Sequence, residues 1–206
     1  MHLYKCNIYA KLLKNTTILC YINNMRKQTI FLTVFFLFIM QNTNAESLFE
    51  DNFQDSDQWK FISDNVMGGL STGSIIYEME EGQSIAYLSG NVTTENNGGF
   101  IQVRRNLKEI DLQEANYVKI TAKGNGEKYY IHLRTTGTIL PWQYYQSAFV
   151  VEKKYKDFIL PIKQFKKSGS FQANVVKSRS ITSIGVVAYG RDHKAEIYVK
   201  EISFIK

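Results

Sequence analysis

From Ser47 onward apolar residues recur at every second position in short runs broken by Gly, Asn and Asp, and no helical period persists. That alternation predicts strands at Ser47–Phe53, Trp59–Ile62, Ser74–Met79, Ser84–Val92, Phe100–Leu107, Tyr117–Lys123, Tyr129–Thr135, Tyr144–Val151, Asp157–Leu160, Ile181–Ala188 and Ala195–Ile205. Turn chemistry separates them at Glu81-Gly82, Gly124-Asn125-Gly126, Ser168-Gly169 and Gly190-Arg191-Asp192, and Gly124–Gly126 reads as a hairpin turn. Pro141 and Pro161 are the only prolines, so few strands are interrupted. So many strands at short spacing indicate an all-β sandwich or jelly roll. The stretch Phe171–Arg179 has no clear pattern and leaves room for a helical turn. With no repeat, linker or low-complexity tract, residues 46–206 read as a single domain.

Two glycine pairs stand out against this background. Asp64-Asn65-Val66-Met67-Gly68-Gly69-Leu70-Ser71 and Asn96-Asn97-Gly98-Gly99-Phe100-Ile101-Gln102-Val103-Arg104 each set a glycine pair beside short polar side chains and then enter apolar alternation. Glycine serves where backbone must take positive φ or let another group come close, and Asn, Asp and Ser stabilise turns. The plain reading is two tight turns that start strands. The sharper reading is that the loops meet and share one polar site through Asp64, Asn97 and Arg104.

Strand parity adds a second candidate. Ile101, Val103 and Leu107 share one side of their strand, opposite Phe100, Gln102, Arg104 and Asn106. Tyr129, Ile131 and Leu133 likewise oppose Tyr130, His132 and Arg134, while Trp142, Tyr144 and Gln146 fall together. If these strands share a sheet, the polar side is either a binding surface of arginine forks and aromatic platforms or an ordinary solvated face. The candidate binding residues are therefore Asp64, Asn65, Met67, Gly68, Gly69, Ser71, Asn96, Asn97, Gly98, Gly99, Gln102, Arg104, Tyr130, His132, Arg134, Trp142 and Tyr144. Arg104 either grips a carboxylate, on a ligand or from Asp64, or is buried and paired to hold the loops.

Ser63-Asp64-Asn65-Val66-Met67-Gly68-Gly69 with Ser71, Leu88-Ser89-Gly90, and Asn96-Asn97-Gly98-Gly99-Phe100 with Arg104 resemble the complex I intermediate-associated protein 30 family. Weaker matches follow at Leu133-Arg134-Thr135, Phe158-Ile159-Leu160-Pro161 with Phe165, and Glu196–Ile202. The resemblance covers roughly Phe49 to the C-terminus and implies a galactose-binding-like β-sandwich. It also implies a non-catalytic, protein-binding role of the assembly-factor or chaperone kind. The family usually has aspartate where Asn125 stands, so a charge-dependent role of that loop does not carry over.

The N-terminal segment belongs to a different kind of sequence. Arg26-Lys27, the apolar run Ile30–Met40 and the small residues to Ala45 form a signal peptide over 25–45, with 1–24 an upstream extension before Met25. The apolar run is too short for a stable membrane span. A mitochondrial presequence, and with it complex I assembly, is the alternative, since no acidic residue precedes Glu46. The few basic residues and unbroken apolar run favour export, periplasmic or secreted. Removing the leader takes away five of the 25 Lys and Arg residues but none of the 19 acids, so the domain is nearly neutral. It lacks the basic surplus of a nucleic-acid binder. Cys6 and Cys20 leave with the leader, and with them any disulfide or thiol chemistry.

No cofactor or catalytic motif stands out: there is no nucleophile elbow and no phosphate-binding loop. Asp64 with Glu95 is a conceivable carboxylate pair for a hydrolase, but both sit among turn residues. Asp51, Asp55 and Asp57 cluster without the spacing of a calcium loop, and His132 and His193 lack zinc-site spacing, so no metal is expected. Beside the protein-binding expectation stands a carbohydrate-binding module of an exported protein, suggested by the sandwich class and by Tyr130, Trp142, Tyr144 and Tyr145. The two differ in what they require: an apolar patch beside the glycine loops, or one exposed face of aligned rings.

Overall fold

A computed structural model describes residues 46–206; the expected extension, signal peptide and both cysteines lie outside the described residues. The chain runs through β1 (Ser47–Asp51), β2 (Trp59–Ser63), β3 (Thr72–Glu80), β4 (Gln83–Val92), β5 (Phe100–Asn106), β6 (Tyr117–Gly124), β7 (Lys128–Thr135), β8 (Tyr145–Val150), β9 (Lys156–Pro161), β10 (Lys166–Lys167), β11 (Ile181–Tyr189) and β12 (His193–Ile205). Each strand that alternation predicts is present to within a residue or two at its ends, and only the short β10 is additional. The Phe171–Arg179 stretch runs into a single 3-10 turn at Ser178–Ser180. Among the described residues there is no α-helix, so none crosses a membrane as a helix.

The strands form two antiparallel sheets. Sheet 1 has the order β3-β4-β12-β6-β9, with β1 paired to the C-terminal part of β12; sheet 2 has the order β10-β8-β7-β11-β5-β2. Glu81 and Gly82, both at positive φ, close the β3–β4 hairpin as alternation suggests. Gly124-Asn125-Gly126 does not make a hairpin: it carries the chain from β6 in sheet 1 to β7 in sheet 2. Asn125 fixes that crossing by donating to the Lys194 carbonyl and accepting from the Tyr129 hydroxyl.

Inward faces follow from parity. Val118, Ile120, Ala122, Ile197, Val199, Ile202 and Phe204 of sheet 1 share the core with Ile101, Val103, Tyr129, Ile131, Leu133, Ile184 and Val186 of sheet 2. In β12 the inward positions change from odd to even because the pairing with β6 shifts register between Val199 and Glu201. One extra residue in a strand turns all that follows to the other face, and here it keeps Ile202 and Phe204 inside.

The inward parity also places one charge against the core. Arg105 pairs with Asp51, whose carboxylate also accepts from the Trp59 indole at 2.8 Å and the Phe53 amide at 2.8 Å. The Arg105 guanidinium lies over the Phe49 ring, 5.0 Å from its centre. Asp51 therefore belongs to a structural pair rather than to a group with Asp55 and Asp57. Removing one partner of a buried pair typically costs about 3–5 kcal/mol. Arg105→Ala is expected to lose about that much in urea denaturation, whereas Arg104→Ala, one residue along on the outward face, is expected to lose less than about 1 kcal/mol.

Candidate functional site

The two glycine loops meet, and the group that joins them is the Asp64 carboxylate. Asp64 opens a 3-10 turn, Asp64–Met67, that ends at Gly68 with φ 88°, a conformation glycine adopts without steric cost. The carboxylate is fully buried. It accepts from the Ser71 amide at 3.0 Å, the Ser71 hydroxyl, and the Gly99 and Phe100 amides of the second loop. A Cβ built on either Gly69 or Gly98 would lie 2.4 Å from an Asp64 atom, so both glycines are there to let the carboxylate in. Burial by itself raises the Asp64 pKa, but the hydrogen bonds from Gly99, Ser71 and Phe100 outweigh it and hold the group below its ordinary value.

Neighbouring residues complete this knot. Ser71 accepts the Thr93 amide, and Asn65 donates to the Ser71 carbonyl at 3.3 Å. The Thr94 amide and hydroxyl donate to Asp192, and the Gly190 amide donates to the Gly99 carbonyl, so the β11–β12 connection is bound in as well. Asn96 and Asn97 are exposed at φ 55° and 58°, a region asparagine tolerates better than most residues. Neither side chain makes a hydrogen bond among the described residues. The expected sharing of Asp64 with Asn97 and Arg104 is thus corrected: backbone amides and Ser71 take both oxygens, and Arg104 lies on the outward face of sheet 2. Asp64 turns into its own loops while Glu95 is exposed, so the two are not a catalytic pair.

The second candidate is assembled by sheet 2. Its outward face carries the cross-strand row Lys60–Arg104–Gly185–His132–Gln146–Lys166, spanning all six strands. Beside it runs Ile62–Gln102–Val187–Tyr130–Ala148. The expectation that the Arg104 and Arg134 strands share a sheet holds, with β11 between them. Gly185 leaves the middle of the row without a side chain, and a Cβ there would come within 3.1 Å of the Gln102 amide oxygen.

Four rings pack together over this floor. His132 and Tyr144 stack at 3.9 Å with 9° between planes. Tyr189 meets Tyr130, His132 and Tyr144 edge-on at 5.9, 5.8 and 6.1 Å. Such contacts satisfy ring quadrupoles and fix the cluster in place. Burial pulls the His132 pKa down to about 3, with Gln146 opposing, so the imidazole is neutral at neutral pH. His132 Nε2 and Gln146 Oε1 are buried with no hydrogen-bond partner among the described residues. Burial, with neighbouring Tyr189 and Tyr130, pushes the Tyr144 phenol up, so it is a neutral hydrogen-bonding hydroxyl.

The arginines part company here. Arg134 donates to the carbonyls of Leu140 at 3.0 Å and of Thr138 and Pro141 at 3.4 Å, bracing the β7–β8 loop. Arg104 is half-buried and has no acceptor among the described residues; burial and then Arg134 lower its pKa. Trp142 is exposed on the β7–β8 loop rather than in line with Tyr144, the last residue of that loop, and Gln146 on β8. Tyr189 escaped the sequence reading because the expected strand stopped at Ala188. Its register opposite Phe100 is a tertiary fact.

Two depressed pKa values bear on acid stability. Below its ordinary pKa of 6.5, His132 takes a proton only when unfolded, so stability falls as pH drops from 6.5 toward about 3. The Asp64 contribution is complete above 3.8 and is lost as pH falls through its lower folded value. Asp64→Asn replaces an acceptor oxygen with a donor facing amide donors. Urea denaturation at neutral pH is expected to show a loss of about 3 kcal/mol, with the difference from wild type shrinking at acid pH where wild-type Asp64 is itself protonated.

Solved structures with the same fold include carbohydrate-binding modules. The family 11 module from Clostridium thermocellum, in complex with a β-1,3-1,4-mixed-linked tetrasaccharide, superposes with a TM-score of 0.62 at 16% identity, covering 80% of this chain and 97% of that one. The family 11 module of the cellulosomal cellulase Lic26A-Cel5E of the same organism gives 0.63 at 15% identity, covering 80% and 96%. At such identities the likeness concerns the β-sandwich alone. No curated protein sequence matches the chain. The family model for complex I intermediate-associated protein 30 matches residues 47–198, which takes in both glycine motifs and the strands that build the sheet 2 face. The chain belongs to the complex I intermediate-associated protein 30 family.

Proposed function

We propose that this is a non-catalytic binding domain whose ligand is a saccharide seated on the outward face of sheet 2. The observation that carries the reading is the ring cluster Tyr130, His132, Tyr144 and Tyr189, set among Gln102, Gln146 and Arg104 on a single face. A sugar presents apolar C–H faces edged by hydroxyls, and tyrosine answers both with a ring and a hydrogen-bonding tip. The rings are fixed by one another, so little ordering is required when a ligand arrives. The rings do not form the flat row expected from sequence, and the surface they make is a compact cluster. A family 11 module of the same fold is seen with a tetrasaccharide, which agrees with this assignment. Export, as the leader suggests, would bring the domain to envelope or extracellular polysaccharides.

A second reading rests on a separate observation. Val66, Met67 and Leu70 are 72, 55 and 49% exposed beside the glycine loops, the kind of apolar patch a protein partner needs. It accords with the assembly-factor role the family name suggests.

Affinity gel electrophoresis on a polysaccharide panel separates the two. Retardation on at least one glycan, abolished in Tyr144→Ala and Tyr189→Ala variants that keep the wild-type unfolding midpoint, is the expected result. Loss of interaction with Met67→Glu instead, together with no retardation on any glycan, would favour the protein partner.

A further inference from the structure

The outward face of sheet 2 has an uncompensated positive charge. Its paired positions include Lys60, Arg104, Lys128, Arg134 and Lys166, and no Asp or Glu occupies a paired position on that face. None of those five bases makes an ion pair among the described residues. The outward face of sheet 1 is built the opposite way: Lys123 pairs with Glu80 at 2.9 Å, Lys119 with Glu201 at 2.8 Å and Lys194 with Glu196 at 2.6 Å. The two faces of one nearly neutral domain therefore differ in design.

Within the basic face, Arg104 is the singular group. Arg134 spends its donors on the carbonyls of the β7–β8 loop. The lysines at the rim are exposed and hydrated. Arg104 sits half-buried in the row between edge-strand Lys60 and side-chain-free Gly185, with its guanidinium donors unclaimed among the described residues. Holding a partly desolvated cation without a counterion is unfavourable, and a second arginine close by adds to the cost. His132, on the far side of Gly185, remains neutral and contributes no charge.

We infer that the saccharide bound on this face is acidic, its carboxylate or sulfate group received by the Arg104 guanidinium. The inference rests on the proposal that the face binds saccharide. A planar fork of N–H donors matches a carboxylate or sulfate with two parallel hydrogen bonds, which lysine does not reproduce. Arg134 and Lys60 flank the anion and supply field without direct contact. An oligonucleotide also carries anions, but the rings form a compact cluster, with His132 and Tyr144 stacked on each other, and no extended row of platforms at the spacing of successive bases.

Matched polymers that differ only in charge test this. Isothermal titration of the protein against unesterified and fully methyl-esterified homogalacturonan masks the carboxylate on one backbone, and dextran sulfate against dextran does the same for sulfate. Binding of an acidic member at least about tenfold tighter than its neutral partner is expected, with a similar loss in Arg104→Gln and partial recovery in Arg104→Lys. Lys123→Gln, on the other sheet, is expected to bind like wild type. Melting curves of the Arg104 variants are expected to overlay the wild type, and if Arg104→Gln unfolds, the Arg104→Lys affinity and the acidic-to-neutral ratio carry the test. Equal affinity for neutral and acidic members, unchanged in Arg104→Gln, would overturn the acidic ligand and leave the saccharide reading standing. Absence of binding to every glycan would overturn both. Tighter, Arg104-dependent binding of single-stranded oligonucleotide or polyglutamate would overturn the ligand class.

Discussion

The buried Asp64 carboxylate is the constraint on which the rest of this end of the sandwich depends. A charge out of water must be fully hydrogen-bonded or it unfolds its surroundings, and here its partners come from loops about thirty residues apart in sequence. Because the partners are mostly backbone amides, the loops have to bring main chain, not side chains, up to the oxygens. That requirement explains Gly69 and Gly98 more directly than any ligand does. It also fixes the start of β5 at Phe100, and so the register that sets Gln102 and Arg104 on the outward face opposite Val187 and Gly185.

A division of labour follows. The motifs that mark the family in sequence form the scaffold, while the surface with spare chemistry lies on strands whose sequence is less conspicuous. Met67 and Leu70 are the exception, since the loop that turns Asp64 inward pushes these apolar side chains into solvent. The sheet 2 face joins the knot at Phe100 and Tyr189, paired across β5 and β11. Loosening the knot would shift Tyr189 and with it the edge-on contacts that organise His132 and Tyr144.

The strands were legible in the sequence because alternation is a local signal, and the meeting of the two glycine loops was one of the two readings that their glycine pairs and short polar side chains allowed. Sheet membership was not. Gly124–Gly126 has the chemistry of a hairpin turn, yet turn residues do not say whether the next strand pairs with the last or crosses to the other sheet. Arg104 ends the second glycine motif, while the arginine that holds the core is its neighbour Arg105. Arg105 shares parity with Ile101, Val103 and Leu107, and a charge on an apolar face requires a buried partner; that signal was present, but only the structure shows that Asp51 answers it. The bulge at β12 and the pairing of Lys166–Lys167 with β8 depend on tertiary register, which no local pattern carries.

In the proposed division, the glycine loops hold the fold and the sheet 2 face meets the ligand. Backbone amide chemical-shift mapping by NMR, with the oligosaccharide that a glycan panel selects, bears on both halves at once. The account predicts saturable shifts concentrated at residues 102–104, 130–134, 144–148 and 185–189, with Asp64–Ser71 and Glu95–Gly98 nearly unmoved. Shifts concentrated in those two loops, with the face of β5, β7, β8 and β11 silent, would contradict it.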